Sequence, residues 1–181
     1  HIGDLDAGAR AVEPIKRFGS PVMDVIGPMP YSVVNTLFDA GFPPHALNYW
    51  KANFLSALSD DAIDTMIARF AACPSPMSGL LLEHFHGAAT RPAPTDTAFP
   101  HRTPGFNMLI AGEWMSPADN DVNIAWTRDT YAAMSGHFAS GRYTNYLSAD
   151  ELADQGAIAA AFGPNAARLR EIKRRHDPDN V

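Results

Sequence analysis

The sequence predicts an α+β fold: an antiparallel sheet with helices packed on one face. Four segments rich in strand-forming residues lie at 48–55 (NYWKANFL), 80–87 (LLLEHFHG), 106–114 (FNMLIAGEW) and 142–147 (RYTNYL). Helical patterns at 60–72 and 117–138 separate them into the order strand, helix, strand, strand, helix, strand. Pro and Gly punctuate most junctions. That order is the split βαβ arrangement of ferredoxin-like folds, which leaves the second face of the sheet open.

Taken in order, residues 4–18 predict a helix with Ala11, Val12, Ile15 and Phe18 as its apolar stripe. Pro14 should kink or divide it, and Gly19 ends it. Residues 20–30 form a Pro- and Gly-punctuated connection, followed by a short helix over 31–38 that Gly41, Pro43 and Pro44 close. After the first strand, Ser59 offers an N-cap, and Asp60 and Asp61 suit the positive end of a helix dipole. Ile63, Met66, Ile67 and Phe70 recur at i, i+3, i+4 and i+7, the clearest amphipathic pattern in the chain. Pro74 and Pro76 stop it. The helix over 117–138 begins near Asp119 and Asp121 and has a less regular apolar face. Beyond the last strand, 150–162 is an Ala-rich helix broken by Gly163-Pro164, and 165–176 a final helix halted by Asp177-Pro178.

Composition narrows the function classes. With 181 residues, 46% apolar and 19% charged, the chain can bury a sizeable core as one domain or as a large piece of something bigger. A net charge of −6 argues against nucleic acid as a partner, and no apolar run suggests a membrane span or a signal peptide. Cys73 stands alone, so no internal disulfide or cysteine-based zinc site can form, and a reducing, cytoplasmic setting fits. The chain starts at His1 without an initiator methionine, which suits a processed or truncated protein. Arg168, Arg170, Lys173, Arg174 and Arg175 crowd the last helix, but no aromatic platform accompanies them. They complement the helix dipole on a solvated face.

The stretch 141–147 (GRYTNYL) carries the candidate chemistry. Alternation along a strand puts Tyr143 and Asn145 on one face, with Thr144 and Tyr146 on the other. A phenol can act as a general base if its pKa is lowered, and an amide can both donate and accept hydrogen bonds. His84 and His86, two apart on a strand, share a face and can line a pocket, bind substrate or tune a base. With His101 they form a rival metal-ligand set, although nothing fixes the approach of the third ligand. There is no Gly-x-Gly-x-x-Gly and no phosphate-cradling loop.

The tail resembles the C-terminal region of FAD-linked oxidoreductases of the berberine bridge enzyme type. The residues that carry the resemblance are Gly141 to Tyr146, Ala161-Phe162-Gly163-Pro164-Asn165, Arg168-Leu169, Lys173-Arg174-Arg175 and Asp177-Pro178-Asp179-Asn180-Val181. The loop Thr97-Ala98-Phe99-Pro100-His101-Arg102, with Trp114 and Trp126, is similar to the same family, as are Gly27-Pro28-Met29-Pro30-Tyr31, Phe38-Asp39 and Tyr49-Trp50-Lys51. The resemblance implies a substrate-binding domain over residues 1–164 whose open sheet face covers a flavin. It implies that 165–181, a helix and an Asp-Pro-x-Asn segment, leads back to an FAD-binding domain outside this chain. That absent domain is the expected partner and would hold FAD.

The implied chemistry is hydride transfer from an alcohol, amine or related C–H substrate to flavin, with dioxygen as oxidant. Tyr143 is the implied base and Asn145 the residue near the flavin. Tyr146 and His86 are the alternative catalytic groups, and His84 and His86 would contact the substrate. A carboxylate that some family members place on the neighbouring strand has histidines in its stead here. Alone, the chain is expected to be inactive and not to retain FAD. Two rival readings stand beside this one: a stand-alone ferredoxin-like binding module, and a histidine-metal enzyme; a homodimer is left open. On the flavoenzyme reading, Tyr143→Phe should slow flavin reduction by roughly 10²–10⁴-fold, the effect of losing a positioned general base, as anaerobic stopped-flow would measure.

Overall fold

The computed structural model describes residues 1–148, 150–151 and 153–180. The chain divides into two compact units, His1–Pro44 and His45–Val181. In the first, helix α1 (Leu5–Lys16) is capped by Asp4, whose carboxylate accepts from the Ala7 N–H at 2.7 Å. Pro14 sits in the last turn, where losing one N–H donor does not divide the helix. The helix expected over 31–38 forms only one α-turn, α2 (Tyr31–Val34), followed by turns and a 3₁₀ segment at Asp39–Gly41.

The second unit contains strands β1 (Leu47–Leu55), β2 (Gly79–Phe85) and β3 (Gly105–Trp114). Its helices are α3 (Asp60–Ala71), α4 (Asn120–Ala133), α5 (Gln155–Phe162) and α6 (Ala166–His176). β3 lies in the middle of the sheet, antiparallel to both neighbours. β1 and β2 therefore run the same way, and α3 is the crossover between them. Alternation along β3 sends Met108 and Ile110 to one face. There they pack with Leu55, Ala62 and Met66 of α3, and Trp126 of α4, in the main core.

Ser59 caps α3 as expected, accepting from the Ala62 N–H at 3.2 Å. Its apolar stripe is wider than its burial: Ala62 and Met66 are buried, while Ile67 and Phe70 are exposed. The irregular face of α4 also has a physical cause. Its buried residues include Asn123, Thr127 and Thr130, whose amide nitrogen and hydroxyls bond locally or to the neighbouring elements. Thr127 Oγ1 donates to the Asn123 carbonyl at 3.0 Å, and Arg69 Nε donates to Thr130 Oγ1 at 3.2 Å. The Trp126 indole N–H donates to the Arg69 carbonyl at 2.8 Å, tying α3 to α4.

The fourth strand, expected at 142–147, does not form. A single antiparallel bridge joins Leu55 to Phe138, and the Ala139 N–H donates to the Phe54 carbonyl at 2.7 Å. At Gly141 the backbone then takes φ +109°, with the His101 ring 2.7 Å from where a Cβ would stand. This turn leads the chain away from β1, and Thr144–Tyr146 closes a 3₁₀ turn. Among the described residues the sheet has three strands.

α4 approaches the sheet where there is no side chain. A Cβ on Gly112 would stand 2.5 Å from Thr127 Oγ1 and 2.8 Å from the Tyr49 carbonyl oxygen. Gly112→Ala must push α4 off the sheet, so it should destabilise the protein by about 1–3 kcal/mol, the usual cost of overpacking. A shift of the urea midpoint to lower concentration would show it, and an unchanged midpoint would mean that α4 yields freely.

Candidate active site

The face of the sheet opposite α3 and α4 carries Ala52, Leu109 and Ala111, with Trp50 and Tyr146 packed against them. The register pairs Glu83 of β2 with Asn107 of β3 on this face. Asn107 Nδ2 donates to Glu83 Oε2 at 2.7 Å. The Tyr146 hydroxyl donates to the other carboxylate oxygen, Oε1, also at 2.7 Å. One exposed carboxylate is thus held by a buried amide below and a half-buried phenol beside it.

The 3₁₀ turn decides how the two tyrosines stand. Residues three apart in such a turn project to the same side. The rings of Tyr143 and Tyr146 accordingly meet edge to face, 5.2 Å apart at 89°. The Tyr143 hydroxyl accepts from Asn145 Nδ2 at 3.0 Å. Burial pushes the Tyr146 phenol up, and the hydrogen bond to Glu83, its charge and the neighbouring Tyr143 add to this, so that it reaches about 12. Tyr146 is therefore a held proton, not a standing anion.

Glu83, Asn107 and Tyr143 line a cavity of about 460 Å³ whose remaining wall is largely aromatic, with Phe54, Phe85, Phe99 and Phe162. The wall segment 97–102 is fastened from behind. Asn165, buried between α5 and α6, donates its amide to the carbonyls of Pro94 at 2.8 Å and Thr97 at 3.0 Å. His101 Nε2 bonds the Ala161 carbonyl at 3.0 Å. Arg102 stacks its guanidinium 5.0 Å from the Phe99 ring centre and donates to the Ala89 carbonyl at 2.7 Å.

The structure redistributes the residues singled out from sequence. Tyr143 and Asn145 do lie together, but through a turn and not by strand alternation, and Tyr146 lies beside Tyr143 instead of opposite. His84 borders the cavity, yet it pairs with Phe106 and stacks on its ring at 5.1 Å, on the helix-covered side. His86 lies just past the end of β2, exposed, its ring 5.6 Å from that of His84. The expectation that both histidines share the open face with the tyrosines is overturned, because His84 pairs with Phe106 on the helix-covered side and the open face at that point of β2 belongs to Glu83, paired with Asn107. His101 is engaged by a backbone carbonyl. Among the described residues, no group of three or more His, Cys, Asp or Glu could hold a metal ion.

Glu83 is the residue that sequence reasoning passed over. Its signal was present: it is the one acid in β2, in phase with Leu81 and Phe85. The α6 cations behave as a solvated face; Lys173, for example, pairs with Asp177 one turn on. No helix among the described residues is long and apolar enough to cross a membrane.

Comparison with known proteins supports the resemblance noted in the tail. Residues 142–181 match the family model described as "Berberine and berberine like". An FAD-linked oxidoreductase of Dictyostelium discoideum is 26% identical over 181 residues, covering 98% of this chain and 38% of the relative. The uncharacterised FAD-linked oxidoreductase YgaK of Bacillus subtilis is 25% identical over 182 residues, covering 99% of this chain and 40% of the relative. The chain thus spans about two fifths of the length of these curated relatives. Among solved structures, BBE-like #28 from Arabidopsis thaliana superposes with a TM-score of 0.76 at 20% identity, covering 98% of this chain and 43% of that one. GilR, solved with pregilvocarcin, gives 0.67 at 24% identity, covering 75% of this chain and 31% of that one. At these identities the structural matches speak for the fold, an α+β unit with a small antiparallel sheet. The chain is similar to FAD-linked oxidoreductases along nearly its whole length, and its residues 142–181 match the berberine-like family model.

Proposed function

We propose that this chain forms the substrate side of an FAD-dependent oxidase or dehydrogenase acting on an alcohol, amine or related C–H substrate. The observation that carries the reading is the Tyr146–Glu83 hydrogen bond of 2.7 Å on the open face of the sheet, beside the cavity that Glu83 lines. The ferredoxin-like order β1-α3-β2-β3-α4 builds the platform, and residues 1–164 serve as the substrate domain. A cytoplasmic setting fits the single Cys73.

The residues present fit the ring of FAD but not its diphosphate. Asn145 offers an exposed amide that can donate and accept, and Phe54, Phe99 and Tyr143 form an apolar aromatic wall suited to a neutral heterocycle. No glycine-rich phosphate loop occurs in the sequence, so the diphosphate would be held by a flavin-binding part outside residues 1–181. When bound, FAD supplies the two-electron acceptor, with dioxygen as the class of oxidant that restores it.

This chain's own residues handle the proton. With the Tyr146 phenol at about 12, its anion would be about 10⁻⁵ of the population near neutral pH, too little to act as a preformed base. A relay avoids that demand. As the substrate C–H bond breaks, the substrate O–H (or N–H) proton passes to Tyr146 Oη while the Tyr146 proton passes to Glu83 Oε1. The phenol ends neutral, the carboxylate ends protonated, and no free phenolate forms. Tyr143, its hydroxyl accepting from Asn145, lines the cavity and positions what binds there.

In the FAD-loaded protein, Tyr146→Phe and Glu83→Gln should each lower the limiting rate of flavin reduction by roughly 10²–10⁴-fold, with substrate binding little changed. Tyr143→Phe should lower it less than about tenfold, in place of the larger loss expected from sequence with Tyr143 as the base, since on this reading it removes a contact and not the relay. Anaerobic stopped-flow decides the order. A Tyr146→Phe rate within about threefold of wild type, too small for loss of a general base, would remove Tyr146 from the relay.

An alkaline titration of tyrosine absorbance tests the electrostatics without turnover. Tyr146 should titrate near 12, and Glu83→Gln should bring it down towards the ordinary phenol value near 10. Its neutral form is favoured in the folded state, so the associated stability is full below about pH 10 and is lost as pH rises through the folded value. A midpoint unmoved by Glu83→Gln would mean that the two groups do not interact in solution.

A further inference from the structure

We infer that Asn107 is a positioning residue for the proton relay: its amide clamps the Glu83 carboxylate so that Oε1 stays aimed at the Tyr146 hydroxyl. The inference rests on the reading of Glu83 as the proton acceptor, and the geometry behind it is separate. Glu83 is exposed and carries a long, rotamer-rich side chain on an open face. Left to itself such a carboxylate samples many orientations, few of which accept from Tyr146. Asn107 stands directly across the register and is 4% exposed, so its own amide cannot swing. Nδ2 lies 2.7 Å from Oε2, which fixes one carboxylate oxygen and thereby aims the other. A carboxylate only accepts hydrogen bonds, so the amide must present its nitrogen here.

A second observation points the same way. With Nδ2 given to Glu83, Asn107 Oδ1 is buried with no hydrogen-bond partner. An unsatisfied buried carbonyl disfavours folding, and the neighbours on this face at 109 and 111 are Leu and Ala. Packing alone would therefore select an apolar residue at 107. A polar side chain kept there against stability is the signature of a group retained for function.

The test uses Asn107→Leu, which keeps the volume and removes the donor, and Asn107→Asp, which keeps the shape and exchanges the donor for an acceptor. Three quantities are measured on each: the urea midpoint, the limiting rate of flavin reduction against the substrate dissociation constant in the FAD-loaded protein, and the alkaline midpoint of Tyr146. The limiting rate should fall about tenfold in both variants, the order expected for freeing the rotamers of one glutamate. The substrate dissociation constant should not move. In Asn107→Leu the Tyr146 midpoint should drop from about 12 towards 10, while the urea midpoint stays or rises. Rates within about twofold of wild type, with the Tyr146 midpoint unmoved, would overturn the inference, since a free glutamate rotamer alone is worth more. So would a rate loss that tracks a lost urea midpoint while Tyr146 titrates as before, because that pattern is merely structural. If Asn107→Leu moves the Tyr146 titration while Glu83→Gln leaves the rate intact, the clamp stands and the catalytic reading of Glu83 falls.

Discussion

The central strand β3 is the constraint on which the second unit depends. From Asn107 to Trp114 every residue is buried, because the strand has a neighbour on each edge and packed side chains on both faces. A slip of one residue would exchange its two faces. Met108 and Ile110 would leave the core made with α3 and α4, and Asn107 would be driven into it. Gly112 adds a second lock, since only at that register position can α4 come down onto the sheet. The position of Asn107 under Glu83 is therefore a consequence of core packing as much as of the site.

With the register fixed, the open face is polar at one end and apolar at the other. Ala52, Leu109 and Ala111 make a small apolar floor, and Tyr146 lays its ring there while its hydroxyl reaches Glu83. The phenol is thus anchored by packing at one end and by a carboxylate at the other, an arrangement that suits an amphipathic ring. The turn that puts it there begins at Gly141, whose positive φ and contact with His101 exclude a side chain. His101 is itself tied to the end of α5, so the tail, the 97–102 loop and the tyrosine turn form one connected structure. Asn165 completes it by serving loop carbonyls from the junction of α5 and α6.

This connectivity runs through the tail and is not confined to the tyrosines. Ala161, Asn165 and Gly141 carry no chemistry, but each holds a wall of the cavity or turns the chain towards it. The curated relatives extend well beyond the span matched here. The face of the sheet opposite Tyr146 is closed by α3 and α4, and His84 belongs to it through its stacking on Phe106.

Much of the fold was legible in the sequence because local rules decided it. Ser59 and the two aspartates start α3, runs of strand-forming residues mark β1, β2 and β3, and the order of the elements sets an α+β sheet with its helices on one face. The tail motif pointed to the flavoenzyme relatives for the same reason, since short-range residue identities suffice to match it. What the sequence could not decide was anything resting on a long-range contact. Strand formers at 142–147 promised a fourth strand, but the turn at Gly141 and the apolar floor made by β1 and β3 drew Tyr146 onto the open face instead. The buried hydroxyls of α4 blurred its periodicity, because their partners lie on α3, β1 and the preceding turn. Alternation set His84 and His86 on one face of β2 without saying which; only the register with β3 shows that Glu83 lies across from Asn107, and hence that the carboxylate, and not the histidines, meets the tyrosine.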